Sequence, residues 1–372
     1  MNTITQMRID AIRKRLMESE LDGLMVSTQE NRFYLSGFSA EDTQFDESAG
    51  VLIVSSRHLA LVTDSRYELQ ALDEAIGFDI ICHKSGFAKA LPDIVRSMDM
   101  RRLGFESVRI SHKDHATYVD ALRKNNLPVE LVPTENLVEA LRRIKSEDEI
   151  QRTIDALQLA ERAFACILKT IRPGMTEKQV AWALEKAMRE AGAQRLAFPV
   201  IVASGPNSAL PHAVPTDRRL ARGEPILIDW GACLNEYCSD TTRTVVIGKP
   251  DAQFKKVFDT VVTARDLAID VIQSGIGGTR VDKVARDYID NNGFEGKFGH
   301  SLGHGTGLAV HEAPRLSPTK DDQLEAGMIV TVEPGIYIPQ WGGIRMENQV
   351  VVRQSGVQVL NDPTPFDPQI GN

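Results

Sequence analysis

Three clusters of acidic and imidazole side chains fall between residues 198 and 349, each in a local pattern that could do chemistry. The first is the pair Ile226-Leu227-Ile228-Asp229-Trp230-Gly231 and Cys238-Ser239-Asp240-Thr241-Thr242-Arg243-Thr244. Both segments read as strands joined by a turn. A two-residue turn at Leu234-Asn235 places Asp229 directly opposite Asp240 on one face, with Cβ atoms ~4.5–5.5 Å apart. Two facing carboxylates are unfavourable unless a cation lies between them. A solvated hairpin with two incidental acids is the plainer reading. Asp229, however, follows the apolar run Pro225–Ile228, which suits a solvated face poorly.

The second cluster is Phe298-Gly299-His300-Ser301-Leu302-Gly303-His304-Gly305-Thr306-Gly307, followed by His311-Glu312. Its glycines exclude a helix, so His300 and His304 are not the helical metal pair of an HExxH site. A lone histidine is usually structural; three in a glycine-rich stretch favour a site. The third cluster is Val330-Thr331-Val332-Glu333-Pro334-Gly335 with Gly343-Ile344-Arg345-Met346-Glu347-Asn348. Each glutamate lies in or at the end of an apolar run, where an acid needs a partner. Arg345 is the plainer partner, but one arginine cannot balance four carboxylates. Asp229, Asp240, His304, Glu333 and Glu347 together suit two divalent cations with two carboxylates bridging, a device that activates water and polarises a carbonyl or phosphoryl group. Oxygen-rich ligation with one nitrogen favours manganese over a structural zinc site; cobalt and catalytic zinc are the alternatives.

The elements that must position these residues form two parts. Residues 1–142 alternate helix and strand patterns. Ile9, Ile12, Leu16 and Leu21 follow helical spacing, with Gly23 as the stop, and Leu24–Ser27, Val51–Val54, Leu59–Thr63, Leu103–Phe105 and Val129–Val132 read as buried strands of an α/β domain. No glycine-rich turn joins strand to helix, so a dinucleotide site is not expected. Residues 143–372 open with a capping box, Ser146 with Glu149, and a second follows at Thr176 with Gln179. Two helices, strands, a long helix near 252–274, a shorter one near 280–291 and more strands come next. Helix, helix, strands thus runs twice, which hints at an internal duplication.

At 372 residues the chain has length for two domains. A net charge of −8 and a pI near 5.6 oppose non-specific nucleic-acid binding. No run approaches the ~18 apolar residues of a membrane span, and the amphipathic N-terminus lacks the apolar core of a secretory leader. Cys82, Cys166, Cys233 and Cys238 are too few for a disulfide framework. The cytoplasm is the expected compartment.

The ordered set of motifs resembles the Xaa-Pro peptidase family, the prolidases and aminopeptidases P of pita-bread fold. The segments that carry the resemblance are Ile201-Val202-Ala203-Ser204-Gly205 through Pro211-His212, Asp229-Trp230-Gly231-Ala232, Ser239–Thr244, Gly303-His304-Gly305-Thr306-Gly307, Glu333-Pro334-Gly335 and Arg345-Met346-Glu347. Tyr34-Leu35-Ser36-Gly37-Phe38 and Thr63-Asp64-Ser65-Arg66-Tyr67 resemble the family's amino-terminal domain. Asn348, where many members carry Asp, and Trp230, where Phe is commoner, depart from the pattern. The resemblance implies a creatinase/prolidase-like domain over 1–142 and a catalytic α+β domain over 143–372. It implies that Asp229 binds one metal, His304 and Glu333 the other, and that Asp240 and Glu347 bridge. Glu333 would also accept and pass on the proton. His212 and His311 would contact substrate and stabilise the oxyanion, His300 would line the prolyl side, and Arg345 and Tyr337 would orient the carboxylates. It further implies a homodimer in which a neighbouring subunit's N-terminal domain closes the pocket.

The remaining candidates read as structural. His112 and His115 are taken as surface, Cys233 and Cys238 as packing residues, and Met346 as core. The expected activity is release of the N-terminal residue from Xaa-Pro bonds of a di- or oligopeptide. The alternatives are hydrolysis of another small amide on the same metals, or a non-catalytic binding protein on the same fold; the complete ligand set disfavours the latter. The extra N-terminal domain disfavours a methionine aminopeptidase.

Overall fold

The computed structural model describes residues 3–42, 44, 47–361 and 366–371. The chain divides into two compact units, Met1–Arg142 and Arg143–Asn372.

The first unit begins with α1 (Thr3–Glu18) and contains six strands: β1 (Gly23–Val26), β2 (Val51–Ser55), β3 (Leu59–Thr63), β4 (Asp79–Cys82), β5 (Arg102–Glu106) and β6 (Glu130–Thr134). They form one mixed sheet in the order β4-β3-β2-β1-β5-β6. Helices α2 (Gln29–Ser36), α3 (Glu68–Glu74), α4 (Phe87–Ser97), α5 (His112–Lys124) and α6 (Glu139–Arg142) connect the strands and close the unit. Met25, Ile53 and Leu103 of the sheet pack against Leu91, Ile94 and Val95 of α4 and Leu122 of α5. The first helix stops at Glu18, before Gly23. The left-handed Glu20 makes the turn, and Gly23 instead opens β1, where a Cβ would stand 2.8 Å from the Met100 side chain. His112 is exposed, but His115 is half-buried with its ring 5.1 Å from that of Phe105, so it is a packing residue rather than a surface one.

The second unit runs helix, helix, strands twice. Helices α7 (Glu147–Leu168) and α8 (Glu177–Glu190) start at Ser146 and Thr176, and both capping boxes are formed. They are followed by β7 (Arg195–Leu196), β8 (Ile201–Ser204), β9 (Pro225–Trp230), β10 (Ala232–Leu234), β11 (Tyr237–Cys238) and β12 (Thr241–Ile247). Helices α9 (Ala252–Val271) and α10 (Gly278–Ile289) precede β13 (Gly303–Gly305), β14 (Glu312–Leu316), β15 (Ile329–Val332), β16 (Gly335–Ile338), β17 (Gly342–Arg345), β18 (Asn348–Val352), β19 (Val357–Val359) and β20 (Gln369–Ile370). Each helix pair covers its own sheet. Leu159, Phe164, Val180 and Leu184 of α7 and α8 lie over β9 and β12, while Val257, Val261, Val281 and Ala285 of α9 and α10 lie over β15 and β18; Ile150 and Leu157 of α7 also reach Ile329 and Val351 of β15 and β18. Trp230 carries its indole into the first core, where it stacks on Phe164 at 4.1 Å and its Nε1 donates to the Ala160 carbonyl. A buried indole needs such an acceptor.

The two sheets meet along β12 and residues 345–349. Thr244 Oγ1 donates to the Arg345 carbonyl and accepts from its N–H, the Arg243 guanidinium donates to the Glu347 carbonyl, and Glu347 N–H donates to the Thr242 carbonyl. Met346 turns the other way, into the second core. No helix among the described residues is long and apolar enough to cross a membrane.

Candidate metal centre

The hairpin register differs by one residue on each strand from the sequence expectation. The turn is Asn235-Glu236, both left-handed, as a tight hairpin turn demands, and Leu234 pairs with Tyr237. Asp229 therefore stands opposite Thr242, not Asp240. A slip of one on each strand moves the partner by two residues, so Asp240 keeps the same side of the sheet. Between β9 and β10, Gly231 allows the backbones to close in, since a Cβ there would lie 2.1 Å from the Ser239 carbonyl oxygen. The same register brings Cys233 against Cys238, and the structure joins them in a disulfide, where packing residues were expected.

The carboxylates of Asp229, Asp240 and Glu347 each place an oxygen within 4.8 Å of the others, and all three residues are buried. Glu347 comes from the break between β17 and β18, and Glu333 follows β15 directly. His304, on β13, directs Nε2 to within 3.5 Å of Asp240 Oδ2 and 3.3 Å of Glu333 Oε1. Its Nδ1 lies 3.1 Å from the Gly305 carbonyl. Donation from Nδ1 to that carbonyl leaves the Nε2 lone pair facing carboxylate oxygens. Asp229 Oδ1 and Glu347 Oε1 are buried without a hydrogen-bond partner. Acceptors aimed at one another, with two buried oxygens unsatisfied, are a donor set for cations. These residues fit divalent metal.

Arg345 is the guanidinium in contact with the cluster. It donates to Asp229 Oδ2 at 2.6 Å, Thr242 Oγ1 at 3.1 Å, Tyr337 Oη at 2.9 Å and the Pro211 carbonyl at 3.1 Å. Thr242 Oγ1 in turn donates to Glu347 Oε2 at 2.8 Å. Thr331 accepts from His304 N–H and donates to Glu333, tying the ends of β13 and β15 together. Burial, reinforced by Glu347 and Asp229, pushes the Asp240 carboxyl well above its ordinary range. Burial with Glu333 and Asp229 does the same to Glu347. Asp229 is raised by burial in spite of Arg345; burial also raises Glu333, but without metal the protonated form of His304, with His300 and Arg345, outweighs it and holds that carboxyl low.

A cavity of about 530 Å³ opens over this centre. Asp229, Asp240, His304, Glu333 and Arg345 form part of its wall, with His212, His300 and His311 around them and Phe198, Pro199, Val200 and Val214 on an apolar side. The His304 and His311 rings meet edge to face at 4.3 Å. Partial burial, with His304 and Arg315 close by, lowers the His311 pKa to about 4. His300 Nε2 bonds Tyr337 Oη at 2.8 Å, and its Nδ1 bonds the Ser301 carbonyl. His212 is exposed on the loop after β8 and shares the cavity wall, with no hydrogen bond or ion pair to the carboxylates among the described residues. Arg315 also lines the cavity, and its guanidinium makes no ion pair or hydrogen bond among the described residues. Sequence reasoning missed Arg315, Thr242 and Thr331. Thr331 and Thr242 had a usable signal in their spacing, two residues before Glu333 and two after Asp240.

Residues 151–354 match Metallopeptidase family M24, and residues 8–144 match the Creatinase/Prolidase N-terminal domain. The chain belongs to metallopeptidase family M24, in its Xaa-Pro peptidase group, and pairs a creatinase-type N-terminal domain with a pita-bread catalytic domain. It is thus a metallopeptidase that uses divalent metal. Among its relatives, an Xaa-Pro dipeptidase of Pyrococcus horikoshii is 33% identical over 92% of this chain and 93% of its own. The solved Xaa-Pro dipeptidase from Bacillus anthracis superposes with a TM-score of 0.92 at 36% identity, covering 98% of this chain and 100% of that one. The X-Pro aminopeptidase from Thermotoga maritima does so at 0.85 and 35%, covering 96% and 99%.

Proposed function

We propose that the protein hydrolyses Xaa-Pro bonds with two divalent metal ions, manganese by preference, and releases the N-terminal residue. The observation that carries this reading is the buried set of facing acceptors, with Asp229 Oδ1 and Glu347 Oε1 unsatisfied and His304 Nε2 turned toward Asp240 and Glu333. Asp229 would hold one ion, His304 and Glu333 the other, and Asp240 and Glu347 would serve both. The ions supply an acidified water and a polarised carbonyl.

The chain's own residues do the rest. Glu333, adjacent to His304, accepts the water's proton and passes it to the leaving imide nitrogen. His311, neutral at pH 7, and His212 stand at the cavity wall as donors to the developing oxyanion. Tyr337 fixes the His300 ring, which faces the prolyl side, and Arg345 holds Asp229 and Tyr337 in place. Proline after the scissile carbonyl removes the amide hydrogen and fixes the ring geometry. Short substrates suit the cavity better than long ones, because the unpaired Arg315 offers its guanidinium to a free carboxylate.

The test is kcat/KM of the manganese-loaded enzyme on Met-Pro and Met-Ala, together with metal content. About two ions per chain are expected, as in other two-metal sites. Turnover of Met-Pro should be far faster, and chelation should abolish it. Equal values for the two dipeptides would favour hydrolysis of another small amide. A saturated protein with no bound metal would refute the mechanism.

A further inference from the structure

Glu177 opens α8 immediately after its cap, Thr176. An acid in the first turn of a helix is ordinarily solvated there and favoured by the helix dipole. Glu177 is instead fully buried, at 0% exposure. Its Oε1 accepts from Ser204 N–H at 2.7 Å, Ser204 Oγ at 2.8 Å and Asn207 Nδ2 at 3.2 Å. Its Oε2 accepts from Thr216 N–H at 2.9 Å, Thr216 Oγ1 at 2.6 Å and Asn207 Nδ2 at 3.2 Å. Burial raises its carboxyl, and the Thr216 and Ser204 hydrogen bonds outweigh burial, so it remains an anion.

Ser204 ends β8 and Thr216 lies twelve positions on, so one carboxylate grips both feet of the intervening loop. That loop carries His212. Its middle is tied to the catalytic strands: Gly343 N–H donates to Ser208 Oγ at 2.8 Å, and Arg345 donates to the Pro211 carbonyl, one residue before His212. Without its feet fixed, the loop would keep these two hydrogen bonds as its side-chain ties to the catalytic strands among the described residues. We propose that Glu177 is a positioning residue, a clamp that sets where His212 stands over the reacting carbonyl; this rests on the role given to His212 above.

The experiment is a double-mutant cycle of Glu177→Gln and His212→Ala in the manganese-loaded enzyme, with hydrogen exchange measured on the metal-free protein. The Gln amide keeps the size of the side chain but turns donors onto donors. Displacement of a catalytic group by ~1 Å costs up to ~100-fold, so Glu177→Gln alone should lower kcat/KM by roughly 10–100-fold. Manganese stoichiometry should stay at the wild-type value. In the His212→Ala background the same change should add little, less than about threefold, because coupled sites are not additive. Peptides spanning 205–216 should exchange about tenfold faster in Glu177→Gln, with those of β9 and β12 unchanged.

Multiplicative losses with His212→Ala itself impaired would overturn the clamp alone, as would unchanged exchange over 205–216. Wild-type kcat/KM in His212→Ala would overturn both the clamp and the role of His212. Should Glu177→Gln fail to fold, Thr216→Val removes one hydroxyl donor only. The same pattern in smaller measure would support the clamp, and unchanged exchange there would refute it.

Discussion

Replacing Asp240 with Asn should stabilise the metal-free protein and weaken the metal-loaded one. Asp240 faces Asp229 and Glu347 with oxygens within 4.8 Å. At that separation and an effective dielectric constant near 20, each pair of full charges repels by about 3.5 kcal/mol. The repulsion does not accumulate without limit, because the carboxyl can take up a proton. Protonating a group of ordinary pKa near 3.9 costs about 4 kcal/mol at pH 7, and that is the ceiling on the strain Asp240 imposes. Its folded pKa is raised, so the folded state binds more protons than the unfolded one above the ordinary pKa. The strain is therefore present at neutral pH and shrinks as pH falls, by about 1.4 kcal/mol per unit, vanishing near pH 4. Asn has nearly the same shape and no charge. At about 3 °C per kcal/mol for a unit of this size, Asp240→Asn in chelator should melt above wild type by several degrees and by no more than ~12 °C. In manganese the order should reverse. Wild type gains about 2.7 kcal/mol per ion at a hundredfold excess over Kd, and the variant has lost a shared ligand. Thermal melts of both proteins at pH 5 and pH 7, in chelator and in manganese, test this. A variant that melts below wild type in chelator at pH 7, or that gains as much from manganese as wild type does, would refute the account of the cluster.

His311→Ala should lose roughly 10²–10³-fold in kcat, as for loss of an oxyanion donor, while metal analysis finds the wild-type content. Loss of metal in that variant would make His311 a ligand. Arg315→Gln should raise KM for Met-Pro and leave Met-Pro amide almost unchanged; equal effects on both would show that the guanidinium does not meet the substrate carboxylate. Gly231→Ala drives a methyl into the Ser239 carbonyl. The overpacking should cost about 1–3 kcal/mol or more and lower metal affinity by parting Asp229 from Asp240. Circular dichroism melts and manganese titration read the two effects, and a wild-type melt would refute the close approach.

The chemistry-bearing residues were legible because their types are costly where the pattern puts them. Asp229 after an apolar run, and Glu333 and Glu347 beside apolar strands, need compensation that a surface acid does not. The hairpin turn was less legible. Asn235 is followed by Glu236 and not by glycine, so the strongest local turn signal was missing, and the register came out one residue away on each strand. The error left the site residues on one side only because side chains alternate with period two. The same slip hid the Cys233–Cys238 pairing, which depends on register. The capping boxes at Ser146 and Thr176 rest on local chemistry and were legible outright. Arg315 and Glu177 were not. In sequence they are an arginine in a short strand and an acid at a helix start, both ordinary surface patterns, and only the tertiary fold places one in the cavity and buries the other.

The seam between the two sheets has a consequence for motion. Asp229 and Asp240 come from the first sheet's hairpin, while His304, Glu333 and Glu347 come from the second half of the unit, and the edge between them is stitched through Thr242, Arg243, Thr244 and Arg345. A cation gripped from both sides would act as a rivet through a joint that is already sewn. Opening the two halves like jaws would tear the stitching and stretch every ligand at once. Breathing of the catalytic unit is thus confined to what lies outside the seam, and the traffic of peptides in and out falls to its loops.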